Sequence, residues 1–290
     1  MPGIARVVSP PMLPRPHGLA LLLALCAAAP ALSGCGSATG IVADDAEEAY
    51  NTGMAAYAEG RYDRAIEYLR ATLDFGRAGE WADEAQIYLA RAYFETEQYL
   101  LAAAEFDRFA DLYPNDPRTE EARLGEIQAY YRLSPPYDLD QTDTDRAIVL
   151  IRTFMANYPN SVFTADVVAM LEELRGKLAR KAFESGRFYE RRGLHEAAVL
   201  TYQAMLEEHP TSPYADDALL GALRAQVAFA QNSVRDRQAE RFAEAMALYD
   251  RFVELFPGSP LVREAEALYD EAYAGRRAAE AWEAQQAARQ

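Results

Sequence analysis

The sequence predicts an all-α fold in which about five pairs of helices form a superhelix. From residue 45 onward, apolar residues recur at spacings of three and four, the period of an amphipathic helix, and no convincing stretch alternates with the period of a strand. Turn prolines at positions 114, 159, 210 and 257 follow successive amphipathic runs at intervals of 45, 51 and 47 residues. A unit repeated at such intervals indicates a repeat array.

Each repeat is expected to begin with one helix that packs against a second. The turn prolines are followed by Ser or Asp residues that favour helix N-caps, namely Asp116, Ser161, Ser212 and Ser259. First helices are therefore predicted at 45–59, 81–96, 118–133, 164–192 and 214–230. The fourth is unusually long, and Gly176 and Gly186 are its points of low helix propensity.

The second helices carry the most regular pattern. Residues 60–69, Gly-Arg-Tyr-Asp-Arg-Ala-Ile-Glu-Tyr-Leu, resemble the turn and second helix of a tetratricopeptide repeat. A small residue recurs where paired helices must approach closely, and a larger apolar residue follows four positions later. These pairs are Ala65 and Leu69, Ala102 and Phe106, Ala147 and Ile151, Ala198 and Tyr202, and Ala245 and Tyr249. Five copies of one spacing predict five tetratricopeptide repeats.

Two repeats exceed the usual length, and the excess is placed between paired helices. Residues 134–141 contain two prolines and interrupt the turn of the third repeat, and residues 231–238 are predicted to do the same in the fifth. We expect repeats one to three over residues 45–160 and repeats four and five over 161–260. A capping helix and a polar tail are expected over 261–290.

The net charge of the chain and its few cysteines and histidines exclude or disfavour several classes of function. The 290-residue chain has 45 acidic and 29 basic residues, for a net charge of −16, which argues against a nucleic-acid partner. Two cysteines and three histidines exclude a disulfide-stapled fold and argue against a zinc site. No cofactor, metal or catalytic residue is predicted, because His195 and His209 have no plausible nucleophile or acid partner in a local motif.

Residues 1–34 are predicted to be a lipoprotein signal peptide. This segment contains Arg6 and Arg15 but no acidic residue, and its apolar run at 19–29 is too short for a comfortable permanent membrane span. Met12 is an alternative start that would give a more compact signal.

Leu32-Ser33-Gly34-Cys35 resembles the lipobox of bacterial lipoproteins. The resemblance implies that Cys35 receives a diglyceride and palmitate and becomes the first mature residue; the alternative is an ordinary signal peptide that holds a cysteine near its cleavage site. Gly36 differs from the aspartate associated with inner-membrane retention, so the outer membrane is expected. Residues 35–44 are predicted to form a flexible tether that carries the lipid, because the residues after Cys35 are mostly small and show no helical or strand periodicity.

A lipoprotein signal followed by five such repeats resembles the BamD family of outer-membrane β-barrel assembly lipoproteins. The resemblance covers roughly residues 46–274. Its most specific parts, which are typical of Bacteroidota-like members, are Ser134-Pro135-Pro136, then 139–144, 174–184 and 232–241, and Phe256-Pro257-Gly258-Ser259. The low lysine content and the alanine-rich tail from Ala274 depart from the family pattern.

The resemblance implies a non-enzymatic scaffold on the periplasmic face of the outer membrane. The implied partners are the POTRA domains of a BamA-like barrel subunit, bound mainly by C-terminal repeats, and unfolded outer-membrane protein clients, received by N-terminal repeats. Candidate residues for partner contacts are Asp140, Gln141, Thr142, Asp143, Asn232, Ser233 and Arg237. Candidate residues for a client groove, on first helices that line the concave side in this repeat family, are Tyr57, Tyr93, Phe94 and Tyr130.

The segment 139–144 has two open interpretations: it contacts a partner, or it braces the long fourth-repeat helix internally. A third, simpler interpretation is turn chemistry. In that case Asp143 or Thr142 caps a helix that begins near Thr144, and Leu139 fills the gap between helices.

Three other function classes share some of these features. A tetratricopeptide lipoprotein that serves cell-envelope or division machinery would lack the 139–144 insertion. A SusD-like glycan-binding lipoprotein needs an inserted ligand domain, for which this chain has no room. A hydrolase would need a catalytic constellation, and none is evident in the sequence.

Overall fold

The computed structural model describes residues 43–289, which fold into eleven α-helices and no strands. Helices α1 to α10 form five pairs of consecutive helices, and α11 packs against α9 and α10. This confirms the predicted all-α tetratricopeptide fold, and every predicted first helix agrees with α1, α3, α5, α7 or α9 to within one residue at either end. The helices are α1 Ala46–Ala58, α2 Tyr62–Phe75, α3 Ala82–Glu95, α4 Tyr99–Leu112, α5 Thr119–Leu133, α6 Thr142–Asn157, α7 Thr164–Arg191, α8 His195–Glu208, α9 Ala215–Gln231, α10 Arg235–Leu255 and α11 Val262–Ala287.

The alternation of small and large residues on the second helices has the expected packing role. The five alanines of the pattern are completely buried, as close contact between paired helices requires. The larger residues four positions later are buried too, except the last, Tyr249, which is half-buried and packs against Tyr269 of α11 with 4.7 Å between ring centroids and 40° between ring planes.

The turns before α5, α7, α9 and α11 share one hydrogen-bonding pattern. Each turn holds an Asp or Ser whose side chain accepts a hydrogen bond from the backbone N–H two residues later, at 2.7–3.2 Å. That donor belongs to the N-cap residue itself, so the side chain stabilises the turn and does not cap the helix. The prediction that these residues are N-caps is therefore wrong for Asp116, Ser161, Ser212 and Ser259.

Close packing around Tyr202 depends on two glycines. Tyr202 is buried in α8, and its ring lies between Gly186 of α7 and Gly221 of α9. A Cβ atom would lie 2.5 Å from the ring if added at Gly186, and 2.6 Å from it if added at Gly221. Gly186 therefore has a packing role that its low helix propensity alone did not indicate. Around Gly176, in contrast, a Cβ atom would meet nothing within 4 Å.

The 28-residue helix α7 belongs to two hydrophobic cores. Its N-terminal half contributes Val167, Leu171 and Leu174 to a core shared with α5 and α6. Its C-terminal half contributes Ala179 to a core shared with α8, α9, α10 and α11. Because α7 is about twice as long as α6 or α8, these two helices pack on different halves of it.

The insertion in the third repeat is present as predicted, since residues 134–141 separate α5 from α6. The prediction for the fifth repeat is wrong. Only residues 232–234 separate α9 from α10, because Gln231 ends α9 and residues 235–238 form the first turn of α10. The extra length of this repeat therefore lies in longer helices.

Helix α11 covers the open side of the last helix pair. Ala265, Ala272 and Ala279 are buried at a spacing of seven residues. A Cβ atom added at Gly275 would lie 2.4 Å from the ring of Phe242, so α11 and α10 pack at close range.

Candidate binding surfaces

One side of the helix array is lined by the first helices of the repeats. Each first helix contacts the next, and α9 contacts α11, whereas within residues 43–289 no two second helices bring their Cα atoms within 8 Å of each other. Helices on the inside of a curved stack lie closer together than helices on the outside. The first helices therefore line the concave side, as expected for this repeat family.

Side-chain hydrogen bonds connect neighbouring first helices along the concave side. Their lengths are 2.5–2.9 Å, and most of the groups involved are partly exposed. Partly exposed pairs of this kind contribute only about 0–1 kcal/mol each, so they orient the helices more than they stabilise them. The pairs are Tyr50 with Glu84, Arg91 with Glu121, Tyr131 with Glu173, and Arg224 with both Glu190 and Glu264.

The four predicted client-groove residues differ in exposure. Tyr57, Phe94 and Tyr130 are half-buried on α1, α3 and α5 and keep part of each ring accessible. Tyr93 is only 6% exposed and lies in the core of the first repeats, so its assignment to an exposed groove is wrong. The reason is helical geometry: adjacent residues point about 100° apart, and Phe94 occupies the outward direction.

Tyr57 belongs to an aromatic cluster that joins the first two repeats. Its ring centroid lies 5.0 Å from that of Tyr88 on α3 and 5.3 Å from that of Tyr62. Arg91 lies over the Tyr88 ring at 4.8 Å. Burial raises the pKa of Tyr57 above its ordinary value, which is already well above neutral, so its hydroxyl stays protonated even in alkaline solution. Sequence reasoning missed Tyr88 and Arg91, although their spacing of three places them on one face of α3.

The loop between α5 and α6 is fastened internally by Gln141. This side chain is 6% exposed, and its amide nitrogen donates to the carbonyl oxygens of Pro136 and Leu139 at 2.8 and 3.0 Å. Its amide oxygen accepts a hydrogen bond from the buried Thr144 hydroxyl at 2.8 Å. The assignment of Gln141 to a partner contact is therefore wrong, because its polar atoms are used within the loop.

The long helix α7 holds this loop with the only two lysines in the sequence. Lys177 Nζ donates to Ser134 Oγ at 2.7 Å, and Lys181 Nζ donates to the carbonyl oxygen of Leu139 at 2.5 Å. These contacts support the interpretation of internal bracing against α7. Sequence reasoning gave the two lysines no role, although their rarity in this chain was a signal.

Three predicted partner-contact residues remain accessible where the loop ends and α6 begins. Asp140 and Thr142 are exposed, and Asp143 is half-buried. Asp140 Oδ1 accepts a hydrogen bond from the Thr142 N–H at 3.0 Å, and hydrogen bonds from Thr142 lower the pKa of Asp140. Two expectations of the turn interpretation are wrong. The N-cap of α6 is Gln141 and not Thr142 or Asp143. The side chain of Leu139 is 53% exposed, so it does not fill a gap between helices.

We expect Gln141→Ala to lower the free energy of unfolding by about 1–3 kcal/mol, because it removes the three hydrogen bonds that Gln141 makes to Pro136, Leu139 and Thr144. The matched control Asp138→Ala changes an exposed side chain of the same loop to which the structure gives no hydrogen bond, and it should alter this free energy by less than about 0.5 kcal/mol. Chemical denaturation followed by circular dichroism measures both values. Equal losses from the two variants would contradict the bracing role of Gln141.

The turn between α9 and α10 holds the other predicted partner contacts. The side chains of Asn232 and Ser233 donate to carbonyl groups of α9 at 2.8 and 2.5 Å, so they stabilise the turn. Arg237 is exposed and pairs with Glu240 at 2.9 Å. Sequence reasoning missed Val234, whose apolar side chain is 70% exposed at the tip of the turn.

Some predicted features lie outside the described residues. These are the signal segment 1–34, the lipidation residue Cys35 and most of the tether 35–44. From residue 43 to residue 289, no group of three or more His, Cys, Asp or Glu side chains is arranged to hold a metal ion. Over the same residues, no helix has both the length and the apolar character needed to cross a membrane.

Curated relatives match about two thirds of the chain. An outer membrane protein assembly factor BamD from Caulobacter vibrioides is 26% identical over 188 residues, which cover 65% of this chain and 62% of that protein. BamD proteins from Pasteurella multocida and Haemophilus influenzae are 24% and 27% identical, and the matches cover 65% of this chain and 76% of each relative. The chain thus spans somewhat less than two thirds of the Caulobacter relative.

A solved structure of a TPR repeats protein from Bacteroides fragilis is also similar. It is 17% identical, and the alignment covers 80% of this chain and 99% of that chain with a TM-score of 0.43. Residues 42–242 match the family model described as YfiO, an outer membrane lipoprotein. Because this match covers more than half of the sequence, the chain belongs to the YfiO family of outer membrane lipoproteins.

Proposed function

We propose that this chain is a non-enzymatic scaffold subunit of the outer-membrane β-barrel assembly complex and helps outer-membrane proteins to fold and insert. The observation that carries the proposal is the family match over residues 42–242, and relatives named as outer membrane protein assembly factors support it. The fold is suited to such a role, because stacked helix pairs present an extended concave surface to other proteins.

The proposed location is the periplasmic face of the outer membrane, with a lipid anchor on Cys35. The sequence Leu32-Ser33-Gly34-Cys35 supports this location, as does the description of the family as outer membrane lipoproteins. The tether between the lipid and α1 would let the helical array reach partners near the membrane surface.

A BamA-like barrel subunit is the proposed stable partner, docked through its POTRA domains on repeats four and five. The turn at residues 232–234 supports this site, because it is held rigidly by its own polar side chains and presents Val234 outward. The exposed edge formed by Asp140, Thr142 and Asp143 is a second candidate contact. An exposed apolar side chain on a rigid turn suits docking, since little side-chain or loop ordering opposes binding.

Unfolded outer-membrane proteins are the proposed clients, received on the concave side of repeats one to three. Tyr57, Tyr88, Phe94 and Tyr130 support this site, because each is half-buried on a first helix. Partly exposed aromatic rings offer apolar contact at low entropic cost, and their faces and edges pair with aromatic residues of an extended strand. Such contacts suit weak and repeated binding.

A photo-crosslinking residue at Tyr57 tests the client role directly. We expect it to capture unfolded outer-membrane proteins after their export to the periplasm. The control is the same residue at Leu101, which is exposed on the second helix α4 and so lies away from the concave side. Equal capture from both positions would contradict the concave-groove assignment, and capture of cell-wall or division proteins alone would contradict the assembly function.

A further inference from the structure

A cleft opens on the middle of α7, between the α5–α6 loop and the start of α9. It exists because α7 is long enough for α5 and α9 to contact different halves of it, which leaves its centre uncovered. The cleft has a volume of about 460 Å³. We call it the α7 cleft, and its principal lining residues are Pro136, Tyr137, Glu173, Lys177, Arg180 and Tyr214.

The cations beside the α7 cleft form no salt bridge within the described residues, although the charge of Lys181 helps to lower the pKa of Asp140. Lys177 and Lys181 donate to a hydroxyl and a carbonyl oxygen, and Arg180 contacts an aromatic ring. Within residues 43–289, no carboxylate oxygen lies within 4.0 Å of a side-chain nitrogen of these three residues. Glu173, the acidic residue in the lining, accepts a hydrogen bond from the Tyr131 hydroxyl. The lining of the cleft therefore carries the two positive charges of Lys177 and Arg180 against the one negative charge of Glu173, in a chain whose net charge is −16.

Arg180 is positioned to bind an anion. Its guanidinium carbon lies 4.2 Å from the centroid of the Tyr137 ring, which supports one face of the group. When a guanidinium stacks on a ring, the N–H donors at its edge remain free. These donors lie in one plane and can form two parallel hydrogen bonds to a carboxylate. The side chain is exposed, so a ligand reaches these donors without displacing a protein group.

The walls of the α7 cleft favour apolar groups next to that anion. Pro136 and Tyr137 form one wall, and Tyr214 forms the other. Tyr214 is itself held by stacking on Phe183, with 5.4 Å between ring centroids and 15° between ring planes. A rigid aromatic wall beside a free guanidinium suits a polypeptide in which an acidic residue has aromatic or aliphatic neighbours.

We propose that the α7 cleft binds an extended acidic segment of a partner protein, with an Asp or Glu carboxylate paired to Arg180. The charge complementarity is local, since the rest of the chain repels acidic polypeptides. That repulsion makes the cleft selective, because only a segment that also fills the apolar walls gains enough contact to stay bound. The inference goes beyond the assembly role and holds whichever protein supplies the segment.

Fluorescence anisotropy with the full chain tests the proposal. The probe is a short labelled peptide that alternates Glu and Tyr and has both ends blocked, and the control peptide has Gln in place of Glu. Measurements at physiological ionic strength screen repulsion beyond about 8 Å. We expect the acidic peptide to bind and Arg180→Glu to weaken binding by at least about tenfold, since it replaces a charge-assisted pair with a like-charge contact.

A matched variant separates the cleft from general charge effects. Arg175→Glu makes the same substitution on the same helix, at an exposed residue that pairs with Glu172 and does not line the cleft. It should leave affinity for the acidic peptide within about twofold of wild type. Arg180→Lys keeps the charge but loses the fork, so it should retain only part of the binding. Circular dichroism should show all three variants folded.

Three results would overturn the proposal. The first is equal affinity for the Glu and Gln peptides. The second is an equal loss of affinity in Arg175→Glu and Arg180→Glu. The third is binding only to a Gln peptide with a free C-terminal carboxylate, which would make the cleft a site for chain ends.

Discussion

Alanine at Gly186 destabilises the protein, whereas alanine at Gly176 of the same helix stabilises it. A Cβ atom at position 186 would lie 2.5 Å from the Tyr202 ring, and the ring cannot move away because Gly221 packs against it from another helix. Overpacking of this kind costs about 1–3 kcal/mol. That cost exceeds the gain of up to about 1 kcal/mol from replacing a helical glycine with alanine. At Gly176 nothing lies near the added atom, so only the gain remains.

Thermal unfolding followed by circular dichroism distinguishes the two variants. For a domain of this size, each kcal/mol shifts the melting temperature by about 2–4 °C, so the two variants should move it in opposite directions. An equal rise for both would show that the Tyr202 ring has room to move and would contradict the close packing of α7, α8 and α9.

Serine at Cys35 moves the protein from the membrane to the soluble periplasmic fraction, or leaves it as unprocessed precursor. Acyl chains contribute about 0.8 kcal/mol for each buried methylene, and stable anchoring needs more than one chain or a second membrane-binding signal. Loss of the lipid attachment residue removes these chains together. Membrane fractionation after a high-salt wash measures the effect, because the wash removes proteins held by charge alone.

The matched control for this experiment is Cys26→Ser. Cys26 is the other cysteine of the sequence and lies within the apolar run of the signal, so its replacement should leave anchoring unchanged. Normal membrane fractionation of Cys35→Ser would show that protein contacts, and not the lipid, hold the chain at the membrane.

The helices were predictable because their signals are local. The spacing of apolar residues and the buried alanines depend only on neighbours along one helix, and all five first helices begin and end within one residue of their predicted positions. The predictions of N-cap residues were wrong, although the helices themselves begin where expected. Ser212, for example, has the right residue type for a cap, but its side chain bonds within the preceding turn, which residue type alone does not indicate.

The binding surfaces were harder to predict because they depend on contacts distant in sequence. Lys181 reaches the carbonyl oxygen of Leu139 across 42 residues, and Lys177 reaches the Ser134 hydroxyl across 43. The length of α7 was predicted, but the uncovered cleft at its centre follows from where α5 and α9 contact it. Tyr93 and Phe94 show how precisely the direction of a side chain must be known. They are adjacent on one helix, yet Tyr93 lies in the core and Phe94 is partly accessible.

Affinity purification of the full-length chain from solubilised outer membranes tests most directly whether it is a subunit of the assembly complex. We expect a large barrel protein with POTRA domains to co-purify in near-equal amount. Val234→Glu should reduce its recovery, because it places a charge on the apolar tip of the proposed docking turn. Leu200→Glu, at an exposed position on the second helix α8, should not. Recovery of cell-wall or division proteins without any barrel subunit would contradict the account.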